Sequence, residues 1–64
     1  MTIGERMLEY RAKHDLTQKQ LAELLGENSN TVFKFENGKT KPHKVNELRL
    51  HIKMKELEEK ENGD

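Results

Sequence analysis

The sequence predicts an all-α fold, a small bundle of four or five helices with an extended last helix. Three observations point there. Apolar residues recur at three- and four-residue spacing rather than in alternation: Ile3, Met7 and Tyr10, then Leu21, Ala22 and Leu25, then Val32 and Phe35. Helix-starting side chains stand just before two of these runs, Thr17 with Gln20 three residues on, and Asn28. Residues that tolerate a left-handed backbone or break helices follow each run, namely Asp15, Gly26 and the Asn37-Gly38 pair.

The first helix is expected over residues 3–13, with Ile3, Met7 and Tyr10 facing a core. Asp15 stops it, because a short polar side chain tolerates left-handed backbone better than most non-glycine residues, and Leu16 brings the chain back to the core. Thr17 and Gln20 form a capping box for the second helix: the hydroxyl accepts from a free amide of the first turn and the Gln side chain reaches back. Leu21, Ala22 and Leu25 are its buried stripe, and Gly26 supplies the positive φ at its end. Asn28 caps a third, short helix reaching about residue 37. Such a helix buries one stripe, Val32 with Phe35, which leaves Phe33 over. Residues 39–41 read as a polar loop, and Pro42 excludes helix immediately before it. The last helix is expected over residues 44–60. At 100° per residue it carries two apolar rows on nearly opposite sides, Val45, Leu48 and Ile52 on one and Leu50, Met54 and Leu57 on the other.

With 64 residues the chain holds one small core, and a core of this size supplies only a few kcal/mol, so docking on a partner is expected. Its 12 basic and 12 acidic side chains balance, which argues against an indiscriminate polyelectrolyte binder. The distribution is uneven. Residues 56–64 hold five acids against Lys60, a net of −4, so the preceding residues carry +4. Lys34, Lys39, Lys41 and Lys44 surround the single acid Glu36, either a phosphate-attracting patch or a solvated loop. Without cysteine there is neither a disulfide nor a thiolate metal site, and no cofactor, metal or small-molecule ligand is expected. The charged first residues (Glu5, Arg6, Glu9) lack the apolar stretch of a signal peptide or membrane span, so a soluble, cytoplasmic, nucleoid-associated protein is expected. An enzyme is not. No paired carboxylates, Cys-His pair or Gly-rich phosphate loop stands out, and His14, His43 and His51 occupy surface-like positions.

Two short helices joined by a tight Gly-containing turn, with Ala22 at the crossing, have the geometry of a helix-turn-helix; an ordinary helical hairpin would show the same periodicity. The stretch Leu16-Thr17-Gln18, Leu21-Ala22-Glu23-Leu24-Leu25-Gly26, Thr31-Val32, Phe35-Glu36-Asn37-Gly38-Lys39 and Pro42 resembles the Cro and repressor family of phage and bacterial transcriptional regulators, over roughly residues 3–52. The resemblance implies binding to double-stranded operator DNA, usually as a homodimer on a palindrome. By position it places Gln18 at a backbone phosphate, and Ser29, Asn30 and Lys34 at base edges, with Thr31 and Phe33 nearby. Asn30 suits adenine, Lys34 suits guanine or a phosphate, and Ser29 either a base edge or the backbone. Phe33 departs from the family's polar residue, and either touches a thymine methyl or packs on protein. Thr31, Lys39, Thr40, Lys41, His43 and Lys44 fall where the family grips phosphates. Arg11 and Glu36 fall where several members carry a buried structural pair.

The family commonly has a turn and a fifth helix after the position of Ile52, but residues 53–60 contain neither Gly nor Pro and continue with strong helix formers. A domain over residues 1–57 and an acidic, disordered tail over 58–64 are expected, with Leu50, Met54 and Leu57 projecting as a two-fold contact to another subunit; the alternative is an end that frays or folds back over the first helix, where Leu8 lies off the main stripe. Three functions fit: a Cro-like or repressor-like regulator, the DNA-binding antitoxin of a toxin-antitoxin pair, and a protein-interaction module that keeps the fold without DNA.

Overall fold

A computed structural model describes residues 2–39 and 43–62. Their order is α1 (Ile3–His14), α2 (Gln18–Leu25), α3 (Ser29–Glu36) and α4 (Lys44–Asn62), and no strand occurs among them. None of these helices is long and apolar enough to cross a membrane.

The ends of the first three helices follow from local chemistry. Thr2 caps α1 with a capping box, its hydroxyl accepting from the Glu5 amide at 3.1 Å while the Glu5 carboxylate accepts from the Thr2 amide at 2.9 Å. Asp15 closes α1 with φ 54°, in the left-handed region. Thr17 and Gln20 build the second capping box, and Gly26, at φ 71°, closes α2. The Asn28 side chain accepts from the Thr31 amide at 2.8 Å to start α3. Lys53, a residue of the last helix, adds a cap from a distance: its ammonium donates to the Leu25 carbonyl at 2.8 Å, where a helix C-terminus attracts positive charge.

The core is Ile3, Met7, Leu21, Ala22, Leu25, Val32, Leu50 and Met54, with Tyr10, Phe35 and Leu57 packed around it. Helix α4 packs on α1 and α2, whereas α3 packs on α1 and α2 from elsewhere and does not meet α4. Here the structure corrects the assignment of the two apolar rows. Leu50 and Met54 are 1% and 0% exposed, inside their own subunit, so these two do not form a subunit contact, while Leu57 is partly buried at the edge of the same core. Val45, Leu48 and Ile52 face outward instead, at 77%, 62% and 49% exposure. The reason lies in the neighbours: α1 and α2, with Met7, Leu21 and Leu25, offer α4 one apolar surface, and a helix can turn only one of its two opposite rows toward it.

Helix α4 also runs past Leu57, the expected domain end, to Asn62. At 19 residues it is about 28 Å long. Glu58, expected to begin a disordered tail, is bound to α1: its carboxylate accepts from Arg6 Nε and Nη2, both at 3.1 Å. Gly63 and Asp64, the end of that expected tail, lie outside the described residues.

Gly4 marks the closest approach of two backbones. A Cβ there would collide with the Phe35 carbonyl oxygen and come within 2.8 Å of its carbon. Glycine is ordinarily a poor helix residue, costing about 1 kcal/mol relative to Ala. Backbone cannot step aside as a flexible side chain can, so the clash outweighs that gain, and Gly4→Ala is expected to lower unfolding free energy in urea by about 1–3 kcal/mol. Equal or higher stability of the variant would show that α1 and α3 are not so close.

The Arg6 bonds hold the Glu58 carboxyl below the ordinary glutamate range. A depressed folded-state pKa contributes stability that is present above the unfolded value and lost as pH falls through the folded one. NMR titration should therefore place Glu58 below the protein's unpaired glutamates, and Arg6→Ala should return it to them. Glu58 is part-exposed, so the accompanying loss of stability in acid is small.

Candidate nucleic-acid interface

The interface is built around the outer side of α3. Val32 is fully buried and Phe35 half-buried, which turns the opposite side outward with Ser29, Asn30, Phe33 and Lys34 exposed along it. Their spacing, i, i+1, i+4 and i+5, puts all four on one face of a two-turn helix. Asn28 and Asn37 hold the two ends: beside the cap at the start, the Asn37 amide donates to the Phe33 carbonyl at 2.8 Å.

Helix α3 is aimed by one buried ion pair. Arg11 of α1 donates to the Glu36 carboxylate of α3 twice, from Nε at 2.7 Å and from Nη2 at 2.6 Å, a bidentate fork. Its remaining arm, Nη1, donates to the Leu16 carbonyl at 3.2 Å in the turn before α2. Gln18, in the first turn of α2, donates its amide to Glu36 Oε1 at 3.1 Å. Glu36 thus gathers the end of α1, the start of α2 and the end of α3. The Glu36 side chain is 4% exposed and that of Arg11 19%, so the pair is largely removed from water. The hydrogen bond to Glu36 raises the Arg11 pKa above its already high ordinary value, and the guanidinium stays charged.

The pairing of Arg11 with Glu36 is the one expected from the sequence, and Gln18 is an unexpected third member. Helical spacing could have suggested it, since Gln18 opens α2 directly beside the turn that Arg11 reaches. One of its two amide hydrogens is committed to Glu36. Thr31, expected at a phosphate, lies in the first turn of α3. Its hydroxyl donates to Asn28 Oδ1 at 3.0 Å, which adds a second bond to the cap.

Lys39 lies with its ammonium 5.3 Å from the centre of the Phe33 ring. This cation–π contact lies at the far end of α3 and partly covers an aromatic ring that is 39% exposed. The sequence reading left the two residues unconnected, although six residues with an intervening Gly turn bring them to the same end. His43 and Lys44 are exposed at the start of α4. Thr40 and Lys41, expected at phosphates, lie outside the described residues.

Removing Arg11 would leave the Glu36 carboxylate buried with one weak partner, and a broken buried pair costs about 3–5 kcal/mol. Arg11 retains some solvent contact, so the low end applies. Arg11→Ala is expected to lose about 3 kcal/mol, enough to unfold a large fraction of so small a chain, with Arg11→Lys intermediate because an ammonium cannot fork. A loss under about 1 kcal/mol in a urea titration would place the pair among ordinary surface bridges.

A family model described as helix-turn-helix, of the Cro/C1 type, matches residues 7–44, more than half of the chain, and that span holds Arg11, Gln18, Glu36 and all of α2 and α3. Neither curated proteins nor solved structures give a significant match. The bundle of four helices, the α2–turn–α3 arrangement and the outward α3 agree with this family, whose members bind DNA. The chain belongs to the Cro/repressor-type helix-turn-helix family of DNA-binding transcription regulators.

Proposed function

We propose that the protein reads a specific operator, one half-site per subunit, with α3 in the major groove and a homodimer spanning a palindrome. The observation that carries this reading is the outward row Ser29, Asn30, Phe33 and Lys34, set opposite the anchored Val32 and Phe35. Asn30 has the donor and acceptor that match the major-groove edge of adenine, Lys34 donates to guanine or a phosphate, and Ser29 bonds base edges or backbone oxygens. Phe33 offers an apolar surface to a thymine methyl, with Lys39 beside the ring.

The phosphate grip has two sides in this reading. Gln18 and the amides at the start of α2 take one backbone, where an unpaired helix N-terminus favours an anion. Lys39, Thr40, Lys41, His43 and Lys44 take the other. These contacts orient the protein without reading sequence. Occupancy of the operator then blocks or recruits polymerase, which places the protein's work in the compartment that holds the DNA.

Selection of bound duplexes from a random pool, followed by sizing of the complexes, tests the proposal: a shared half-site repeated with two-fold symmetry is expected. On the selected site, Asn30→Ala should relax preference at one base position, a loss of about 1–3 kcal/mol of discrimination. Lys39→Ala should weaken all sequences alike and reduce the salt slope by about 0.9. Equal losses on specific and random DNA for Asn30→Ala would remove it from base reading.

A further inference from the structure

Two cations of α4 reach the turn between α2 and α3. Lys53 Nζ donates to the Leu25 carbonyl at 2.8 Å and to Glu27 Oε2 at 3.3 Å, and Arg49 Nη2 donates to the same Glu27 oxygen at 3.4 Å. The Glu27 side chain is 17% exposed, and the residue directly precedes Asn28, the cap of α3. One ammonium therefore bonds on both sides of Gly26, the left-handed residue of the turn at φ 71°. Glycine has the most backbone freedom of any residue, so the hold falls where the turn is softest.

We propose that Lys53 and Glu27, supported by Arg49, are positioning residues for DNA reading: their clamp sets the direction in which α3 leaves the turn. The proposal rests on the major-groove reading above and extends it to residues that touch no DNA. Helix α4 makes no contact with α3 among the described residues, so its hold on α3 passes through what lies between them, and the turn is the shortest such link. The Glu36 fork fixes α3 at its last residue, whereas Ser29 and Asn30 stand at its first. Asn30 is six residues from Glu36, about 9 Å along the axis. A tilt of about 10° about Glu36 moves Asn30 by about 1.5 Å, more than a base-edge hydrogen bond tolerates. Support at both ends removes that tilt.

The sign of the charge separates this role from simpler ones. A carboxylate repels DNA, so if Glu27 acted only through its charge, Glu27→Gln would bind every duplex more tightly. If the cluster were an ordinary surface bridge, its loss would change little anywhere. A clamp on the turn predicts instead that removing an acid weakens the reading of sequence.

Two measurements on the full chain, each with Glu27→Gln and Lys53→Met, test the clamp. Without DNA, amide hydrogen exchange by NMR should quicken about fivefold at Gly26, Glu27, Thr31 and Val32, whose hydrogen bonds flank the turn, and stay within about twofold along α1 and at Asn37. A rise of equal size in α1 marks a loss of global stability and overturns the positioning role, as does unchanged exchange at the turn. With DNA, the ratio of affinities for the duplex selected from the random pool and for a scrambled duplex should fall about tenfold in both variants, the worth of one bidentate base contact. Glu27→Gln should hold the scrambled duplex at least as well as the wild type does. A wild type with no preference between the duplexes sinks the major-groove reading and the proposal with it. A wild type that discriminates, beside variants that do so equally well, sinks the proposal alone.

Discussion

The buried carboxylate of Glu36 is the constraint on which the rest of this small structure depends. It sits at the last turn of α3, and its partners come from α1 (Arg11) and from the first turn of α2 (Gln18). Three helices therefore converge on one charged group, and the angle at which α3 leaves the body is set by a fork with little freedom. Apolar packing alone would not do this. The side chains that α3 buries are few, Val32 and part of Phe35, and two contacts on a two-turn helix leave it free to roll. A directional ion pair removes that freedom, at the cost of desolvating two charges. It also links function to stability, since the group that aims the recognition helix shares its carboxylate with Gln18, the residue proposed to meet a phosphate beside it.

A net charge of zero conceals a polarised molecule. Four lysines, Lys34, Lys39, Lys41 and Lys44, fall between the end of α3 and the start of α4 in the sequence, while the five acids of residues 56–64 face only Lys60. Attraction for a polyanion is therefore concentrated on the lysine-bearing side rather than spread over the molecule. The Arg6–Glu58 fork gives part of the acidic stretch a structural role as well, because it pins the far half of α4 to α1. Without that tie the last turns would extend beyond the core with only Leu57 to hold them.

Much of the fold was legible in the chain because its signals are local. Thr17 with Gln20, Asp15, Gly26 and Asn28 act on amides and carbonyls within a few residues, so their geometry follows from sequence with no knowledge of what lies across the core. The outward set on α3 was legible for a related reason: once Val32 and Phe35 are taken as the inner stripe, helical periodicity dictates what faces away. The bond from the Thr31 hydroxyl to the Asn28 side chain was not legible, because residue type does not reveal which neighbour a hydroxyl bonds. Gly4 was not noticed at all. Its importance comes from the Phe35 carbonyl, thirty-one positions along the chain, and nothing near Gly4 hints at it.

By itself, then, the sequence determined that the chain is helical, about where the first three helices begin and end, and which side of α3 is left polar, because each depends on interactions spanning a turn or less. Only the tertiary structure decided which apolar row of α4 is buried. The rows Val45, Leu48, Ile52 and Leu50, Met54, Leu57 are matched in length and character, so no local interaction ranks one over the other. Contact with α1 and α2 does, and by covering Leu50 and Met54 it turns the other row to solvent.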